Sequence, residues 1–266
     1  MSYSRGKTMK PALEVLHVTK SFCRPNRGNV VAVDDVTLKI EAGTSCGLVG
    51  ESGCGKSTLA NIIMGLAKPD KGTVFVNGCR VQGSRQAKQK LLYRQIQLVA
   101  QDPHAALNPV RTIGWHFHEV LVHARHIREP ELCEKEIERL LTCVGLNNTI
   151  LGRLPHQLSG GQKQRICIGL ALSLQPQYLI CDEAVSSLDV SIQAQILNLL
   201  RQLQREMNLT YLFISHDLNV VTYLCDYIYV MQGGKIVEAG LTEKIINSPR
   251  EPYTKNLFAA ARLAHQ

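Results

Sequence analysis

Tryptophan occurs once in these 266 residues, and aromatic side chains make up only 5% of them. That is a thin supply for a protein that stacks successive nucleic-acid bases on its side chains. Lysines and arginines outnumber acids, with a formal charge of +8 and a pI of about 9.1, yet they are dispersed along the chain. Such a surplus fits a polyanionic nucleotide or an anionic membrane surface, and no nucleic-acid partner is expected. No two of the nine cysteines form a C-x-x-C pair, and their number is odd, which argues against a disulfide framework and for a reduced, cytosolic compartment. Cys46, Cys167 and Cys181 sit in apolar runs, where a free thiol acts as a small hydrophobe. No apolar run has the length of a membrane-spanning helix. Met1 to Lys10 is polar and basic with no apolar segment behind it, so no signal peptide is expected. The chain is expected neither to enter the membrane nor to leave the cytosol by itself. Internal repeats are also absent.

What remains has the length and composition of one large α/β domain. Leu13 to Phe22 and Val30 to Ile40 alternate like strands, with a turn over Arg24 to Asn29. Short apolar runs at Cys46–Val49, Thr73–Gly78, Ile96–Ala100, Tyr178–Cys181, Tyr211–Ser215 and Tyr227–Met231 predict further strands. Helical spacing follows Ser57, Gln162, Ser191 and Asn219, and runs from Thr112 to about Gly145 with a break near Pro130. Gln232 to Lys235 predicts a hairpin onto Ile236–Glu238. Strands alternating with helices predict a mainly parallel sheet covered by helices.

Gly50-Glu51-Ser52-Gly53-Cys54-Gly55-Lys56-Ser57 fits G-x-x-x-x-G-K-[ST] between a strand and a helix, the setting a phosphate-binding loop requires. Its glycines let backbone N–H groups turn inward around phosphates, at a helix N-terminus that favours negative charge. Lys56 is expected on the β- and γ-phosphates, Ser57 on Mg²⁺, and Thr58 on a further phosphate contact. Asp182 and Glu183 close an apolar strand, placing one acid for the Mg²⁺ hydration shell and the next as a general base or water-orienting group. Ser159-Gly160-Gly161-Gln162 opens a helix, where a serine cap, two glycines and free N–H groups make a second anion site. One chain already has a phosphate loop, so this second site invites a nucleotide held by another chain. His216 and Gln101 each follow a strand, where an imidazole can reach the γ-phosphate and attacking water, and an amide can reach Mg²⁺ or water. Phe22 lies at a strand end where its ring can stack on adenine. Ser187-Leu188-Asp189 suits a segment crossing a dimer interface. His116, Glu119, His123 and His126 recur at helical steps and share one helical face. A polar stripe beside an apolar one is what any surface helix shows, so no metal site is assigned to them.

With these residues in place the chain resembles an ABC-transporter ATPase over nearly its whole length. Gly50 to Thr58 match Walker A, Gln101 the Q-loop, Ser159 to Gln162 the signature, and Asp182 Walker B. Glu183 matches the catalytic acid, Ser187 to Asp189 the D-loop and His216 the switch. The resemblance implies an α/β P-loop NTPase (RecA-like) core of ABC type, with an antiparallel β subdomain and an inserted α-helical subdomain. It implies a single domain over 12–266, with core and β subdomain in 12–100 and 160–240. The helical subdomain then falls in 101–159, the tail in 241–266 and an N-terminal extension in 1–11. Implied partners are a second, non-identical ATPase, two membrane-spanning permeases and an extracytoplasmic substrate-binding protein, with the chain peripheral on the cytoplasmic face of the inner membrane. ATP and Mg²⁺ are the implied substrate and cofactor. Gln101 to Pro109, Asp182 to Gln195 and Ser248 to Thr254 resemble the peptide/nickel importer group. Peptide-importing members continue well past the Pro-Tyr-Thr stretch, often with clustered cysteines, whereas this chain stops at Gln266. The expectation therefore leans to a nickel-import ATPase, with di- or oligopeptide import as the second reading. A non-transport ABC ATPase of a metabolic complex or of translation is the alternative of a different class.

Overall fold

The computed structural model describes residues 12–24, 28–82, 92–186 and 188–263. The expected N-terminal extension, the middle of the turn over Arg24 to Asn29, Ser187 and the last three residues lie outside them. Two sheets form the frame. The first is antiparallel, with strands β1 (Leu13–Arg24), β2 (Gly28–Ile40), β4 (Lys71–Val76) and β5 (Cys79–Arg80) in the order β2-β1-β4-β5. In β2 the residues Val36, Leu38 and Ile40 are buried while Asp35, Thr37 and Lys39 face out, the alternation of a sheet wetted on one side.

The second sheet comprises β3 (Ser45–Val49), β6 (Ile96–Val99), β7 (Tyr178–Asp182), β8 (Thr210–Ser215), β9 (Tyr227–Gln232) and β10 (Lys235–Leu241). Its order is β10-β9-β3-β8-β7-β6, parallel throughout except for the β9–β10 hairpin. Here β3 and β8 are buried along their whole length. The reason is that both faces are covered. Leu48, Ile180, Leu212 and Ile214 enter one core with helix α1 (Lys56–Ile63) and the antiparallel sheet. Val49, Leu179, Cys181, Tyr211 and Phe213 enter the other, with the helices. A strand covered on both faces reads as an unbroken apolar run, which is what the sequence shows at these positions.

The helical layer holds α2 (Pro103–Ala106), α3 (Ile113–Glu119), α4 (Pro130–Cys143), α5 (Gly160–Leu172), α6 (Val190–Met207) and α7 (Leu218–Leu224). Ile113, Phe117 and Leu121 pack with Cys133, Ile137 and Leu140 and with Ile166 of α5. The helix expected from Thr112 to Pro130 is shorter than its spacing predicts. A π-helical turn over Val120–Ala124 ends it, with Arg125 N–H reaching back to Val120 O at 3.3 Å. That extra residue in the turn and a left-handed His126 (φ 60°) break up the His116–His126 stripe, in which Glu119 and His123 still face each other at 3.7 Å. His116 is buried, its Nε2 accepting from Asn108 N–H at 2.8 Å and its Nδ1 lying 2.8 Å from Thr112 O. It is a structural clasp on the 108–112 loop. Three helices escaped the sequence reading, α2, α8 (Thr242–Asn247) and α9 (Pro252–Leu263). Among the described residues no helix is long and apolar enough to cross a membrane, and all nine cysteines are free.

Candidate active site

The topology brings the sequence motifs together at one edge. Gly50 follows β3, Gln101 follows β6 closely, Asp182 ends β7 and His216 follows β8. These four strands are parallel and adjacent in the order β3-β8-β7-β6, so all four residues stand at carboxyl ends on one side of the sheet. A cavity of about 570 Å³ opens there, lined by Phe22, Val30, Val31, Ala32, Ser52 to Thr58, Glu183, Gly233 and Gly234.

The loop from Gly50 to Lys56 is held in shape from several sides. Gly55 adopts φ 112°, and a Cβ there would lie 2.1 Å from Ala32 O, so only glycine fits. Gly234 of the β9–β10 hairpin donates to Cys54 O at 3.0 Å and its carbonyl accepts from Asp34 N–H at 2.9 Å. Lys56 is buried, with Nζ donating to Gly50 O at 2.8 Å and Glu51 O at 2.9 Å. The ammonium is thus folded onto its own loop. Gly50 and Glu51 meet it through their carbonyls and do not line the cavity, whereas Ser52 to Thr58 do.

Next to this loop lies an acidic pair with two different environments. Burial pushes the Asp182 carboxyl above its ordinary range; a hydrogen bond from Ser57 opposes this, Glu183 adds to it and Lys56 opposes it. Ser57 and Asp182 together present hard oxygen donors beside a phosphate loop, a set that fits Mg²⁺. Glu183 takes a left-handed φ of 49°, a conformation worth on the order of 1–3 kcal/mol of strain for a residue with a Cβ. Its N–H donates to Ile214 O at 2.8 Å, and its Oε1 lies 3.1 Å from His216 Nδ1. The strain therefore aims the Glu183 carboxylate toward the phosphate loop and onto the imidazole. With Glu183 ionised, Nδ1 carries the proton between them and Nε2 is left to face solvent.

At the other side, Lys20 Nζ sits 5.5 Å from the Phe22 ring centroid while bonded to Asp70 at 2.9 Å. One face of the ring is thereby taken, and 44% of the residue remains exposed for a second contact. Val30 and Val31, also exposed, extend this apolar shelf. The sequence reading missed both, although a valine opposite Phe22 across the strand pair is a cross-strand signal, Phe22 pairing with Val30 and Ser21 with Val31.

Gln101, Asp182, His216 and Ser159 to Gln162 are not among the residues lining this cavity. Gln101 is exposed, and its Nε2 reaches Ser186 Oγ at 3.5 Å while that hydroxyl donates to Glu183 O at 3.0 Å. Its amide is thus tied to the Glu183 turn and not to Ser57. Ser159 caps α5 reciprocally: its Oγ accepts from Gln162 N–H at 3.3 Å, and Gln162 Oε1 accepts from Ser159 N–H at 3.1 Å. The hydroxyl proton of Ser159 stays free to donate. None of Ser159 to Gln162 lines the cavity. Gly161 has a reason that the sequence did not reveal, since a Cβ there would stand 2.6 Å from Ile192 Cγ2 of α6. Ser187 lies outside the described residues, and its neighbour Leu188 packs near Gly160.

Comparison with known proteins shows the family and the fold. Residues 33–186 match the family described as ABC transporter. The oligopeptide transport ATP-binding protein OppF of Bacillus subtilis is 44% identical over 256 residues, covering 94% of this chain and 82% of that protein. OppF of Escherichia coli is 42% identical, covering 95% and 75%. The glutathione import ATP-binding protein GsiA of Pectobacterium atrosepticum is 44% identical over 96% of this chain, which spans 42% of that longer protein. Among solved structures, the dimeric post-hydrolysis state of the ATP-binding cassette MJ0796, bound to ADP and phosphate, superposes with a TM-score of 0.76 at 26% identity, covering 86% of this chain and 98% of that one. The cbiO1 subunit of a Clostridium perfringens ABC transporter complex gives 0.78 at 26% identity, covering 96% and 99%.

Proposed function

The chain belongs to the ABC transporter family as an ATPase of importer type, and from that premise we propose that it powers uptake of small peptides. The observation carrying the ATPase reading is the cavity in which the phosphate loop meets Glu183, whose carboxylate is paired with His216. The peptide reading is supported by relatives named for oligopeptide and glutathione transport. The lean toward nickel gives way here, because none of those relatives is named for nickel and the position of the last residue carries no argument.

In this reading the adenine stacks on Phe22 beside Val30 and Val31, and the phosphates enter the loop from Ser52 to Thr58. Lys56 exchanges the Gly50 and Glu51 carbonyls for the β- and γ-phosphates. Ser57 and Asp182, with Gln101 approaching, would hold Mg²⁺, which supplies charge neutralisation across the phosphate oxygens. Glu183 accepts a proton from, or orients, the attacking water, and the imidazole of His216 steadies that carboxylate. Such catalysis is positioning plus electrostatics. Ser159 to Gln162, with a free hydroxyl at a helix N-terminus, then serve the nucleotide of a second ATPase subunit. Two permeases and a substrate-binding protein complete the assembly, with this chain peripheral on the cytoplasmic face of the membrane. On this reading residues 101–159, where Gln101 leads into α2 to α4, form the inserted helical subdomain, and 12–266 a single domain.

The test is purification of tagged chain carrying Glu183→Gln from its host membranes in detergent with Mg-ATP. Recovery of two membrane-spanning proteins and a second ATPase, with peptide-stimulated turnover in the wild-type complex, is expected. Recovery of soluble enzymes or ribosomes alone would overturn the transport reading.

A further inference from the structure

The phosphate loop is bonded to a part of the chain that the mechanism above does not use. The N–H of Glu51, second residue of the loop, donates to the hydroxyl oxygen of Tyr253 at 3.1 Å. Tyr253 stands in the first turn of α9, 202 residues away in sequence. Its ring packs partly buried against the helical core, and Phe258 on the same helix is buried. The ring is thus seated by packing, and only its oxygen reaches the loop.

The stretch leading into α9 is itself anchored. Glu238 of β10 accepts from Arg250 N–H at 2.9 Å through one carboxylate oxygen and from Glu251 N–H at 3.1 Å through the other. The same β9–β10 hairpin grips the far side of the loop, where Gly234 N–H donates to Cys54 O at 3.0 Å. The loop is therefore held at two points by one hairpin, directly at Cys54 and through Glu238 and Tyr253 at Glu51. This matters because the carbonyls of Gly50 and Glu51 are the present partners of Lys56. When Lys56 turns to a phosphate, the first turn of the loop loses both of those internal bonds. The Tyr253 bond does not depend on Lys56 and survives the exchange.

We infer that Tyr253 is a positioning residue for ATP binding, its hydroxyl oxygen fixing the Glu51 peptide while Lys56 changes partners. The inference rests on the reading that ATP occupies the phosphate loop. A net hydrogen bond of ordinary strength corresponds to roughly a two- to twelve-fold change in affinity. Removing the oxygen alone should therefore weaken nucleotide binding within that range.

The experiment compares wild type, Tyr253→Phe, Glu238→Gln and the double variant as full-length chains, titrated with a fluorescent ATP analogue and melted without nucleotide. The assembled transporter then gives KM for ATP and kcat. Tyr253→Phe is expected to weaken binding roughly two- to twelve-fold, to raise KM far more than it lowers kcat, and to melt with wild type. Glu238→Gln, which keeps one acceptor, is expected to act in the same direction and less than additively with Tyr253→Phe. Equal affinity of Tyr253→Phe and wild type would overturn the inference while leaving the ATP site standing. A lowered melting temperature that accounts for the affinity loss would also overturn it, assigning Tyr253 to packing only. Failure of wild type itself to bind the analogue would overturn the ATP reading first.

Discussion

Gly161→Ala separates two reasons for a glycine at the head of α5. A methyl group at 161 would stand 2.6 Å from Ile192 Cγ2, with Ile192 Cβ and Cδ1 both at 3.9 Å. Unstrained carbon–carbon contacts lie at about 3.5–4.0 Å, so the two helices or the isoleucine must yield by roughly 1 Å. Ile192 cannot yield cheaply, because a β-branched side chain in a helix is held close to one χ1 rotamer. Leu188 next to Gly160, with its Cδ2 3.3 Å from the Cβ that an alanine at 160 would carry, closes a neighbouring escape route. Overpacking of this kind costs about 1–3 kcal/mol. Urea unfolding of the full chain should show that loss for Gly161→Ala. Ile192→Ala combined with it should recover part of the loss, giving a coupling of about 0.5–3 kcal/mol in a double-mutant cycle. Turnover in the assembled transporter adds the second reading. If stability returns in the double variant and turnover does not, the added methyl also stands where the partner's nucleotide must come. A Gly161→Ala chain as stable as wild type, or strictly additive effects, would refute the packing argument.

Three further outcomes follow from the same geometry. Glu183→Gln should lower ATP turnover by roughly 10²–10⁴-fold, the range of general acid–base effects, and leave an ATP-bound dimer visible by size-exclusion; unchanged phosphate release with the partner subunit likewise mutated would sink the assignment. Phe22→Ala should weaken ATP by about 1–3 kcal/mol of stacking while leaving inorganic triphosphate unaffected, as competition with a fluorescent nucleotide would show; equal losses for both would place the base elsewhere. Asp182→Asn should stabilise the nucleotide-free chain at neutral pH while abolishing turnover. Burial raises the folded carboxyl above the ordinary 3.8, so the folded state holds a proton that the unfolded state releases first. Stability is then lost as pH rises from about the unfolded value through the folded one, and the gain in the asparagine variant should grow over that window and vanish below it. A gain independent of pH would refute the burial argument.

Much of this fold could be read locally. The strands after Ser45, Tyr178, Thr210 and Tyr227 are short apolar runs bounded by polar residues, and a parallel sheet covered on both faces requires such runs. The hairpin at Gly233-Gly234 was legible from its glycines, but its grip on Cys54 was not, because that is a contact across the sheet. The π-turn at Val120–Ala124 leaves no trace in periodicity, as one extra residue in a turn looks like ordinary scatter. Helix α9 did carry a signal in Pro252 at its first position and in Tyr253, Leu257 and Phe258 on one side. Lys56, Asp182 and Glu183 stand out in the sequence by type and spacing, and the fold brings them to the carboxyl ends of neighbouring strands. Residues that act through packing or the backbone, such as Val31, Gly234 and Tyr253, became visible only in three dimensions.

The division of the site explains why one chain is only half of a machine on the proposed reading. The phosphate loop and Glu183 share one cavity at the carboxyl ends of the parallel strands, which neighbouring parallel strands bring to one level. Ser159 cannot join that edge, because its helix is packed on the helical face against α6 through the Gly161–Ile192 contact. On the proposed reading the two helix N-termini in one chain then serve two different nucleotides. Gln101 stands between them in the chain, at the start of the stretch leading to α2, and its amide bonds through Ser186 to the Glu183 carbonyl. Any shift of the helical layer against the sheet must stretch or remake that short path. On the proposed reading, hydrolysis at Glu183 and movement of the helical layer are linked by hydrogen bonds that a single Gln101→Ala change would cut. Transport per ATP hydrolysed in the assembled complex should then fall, and an unchanged ratio would refute the link.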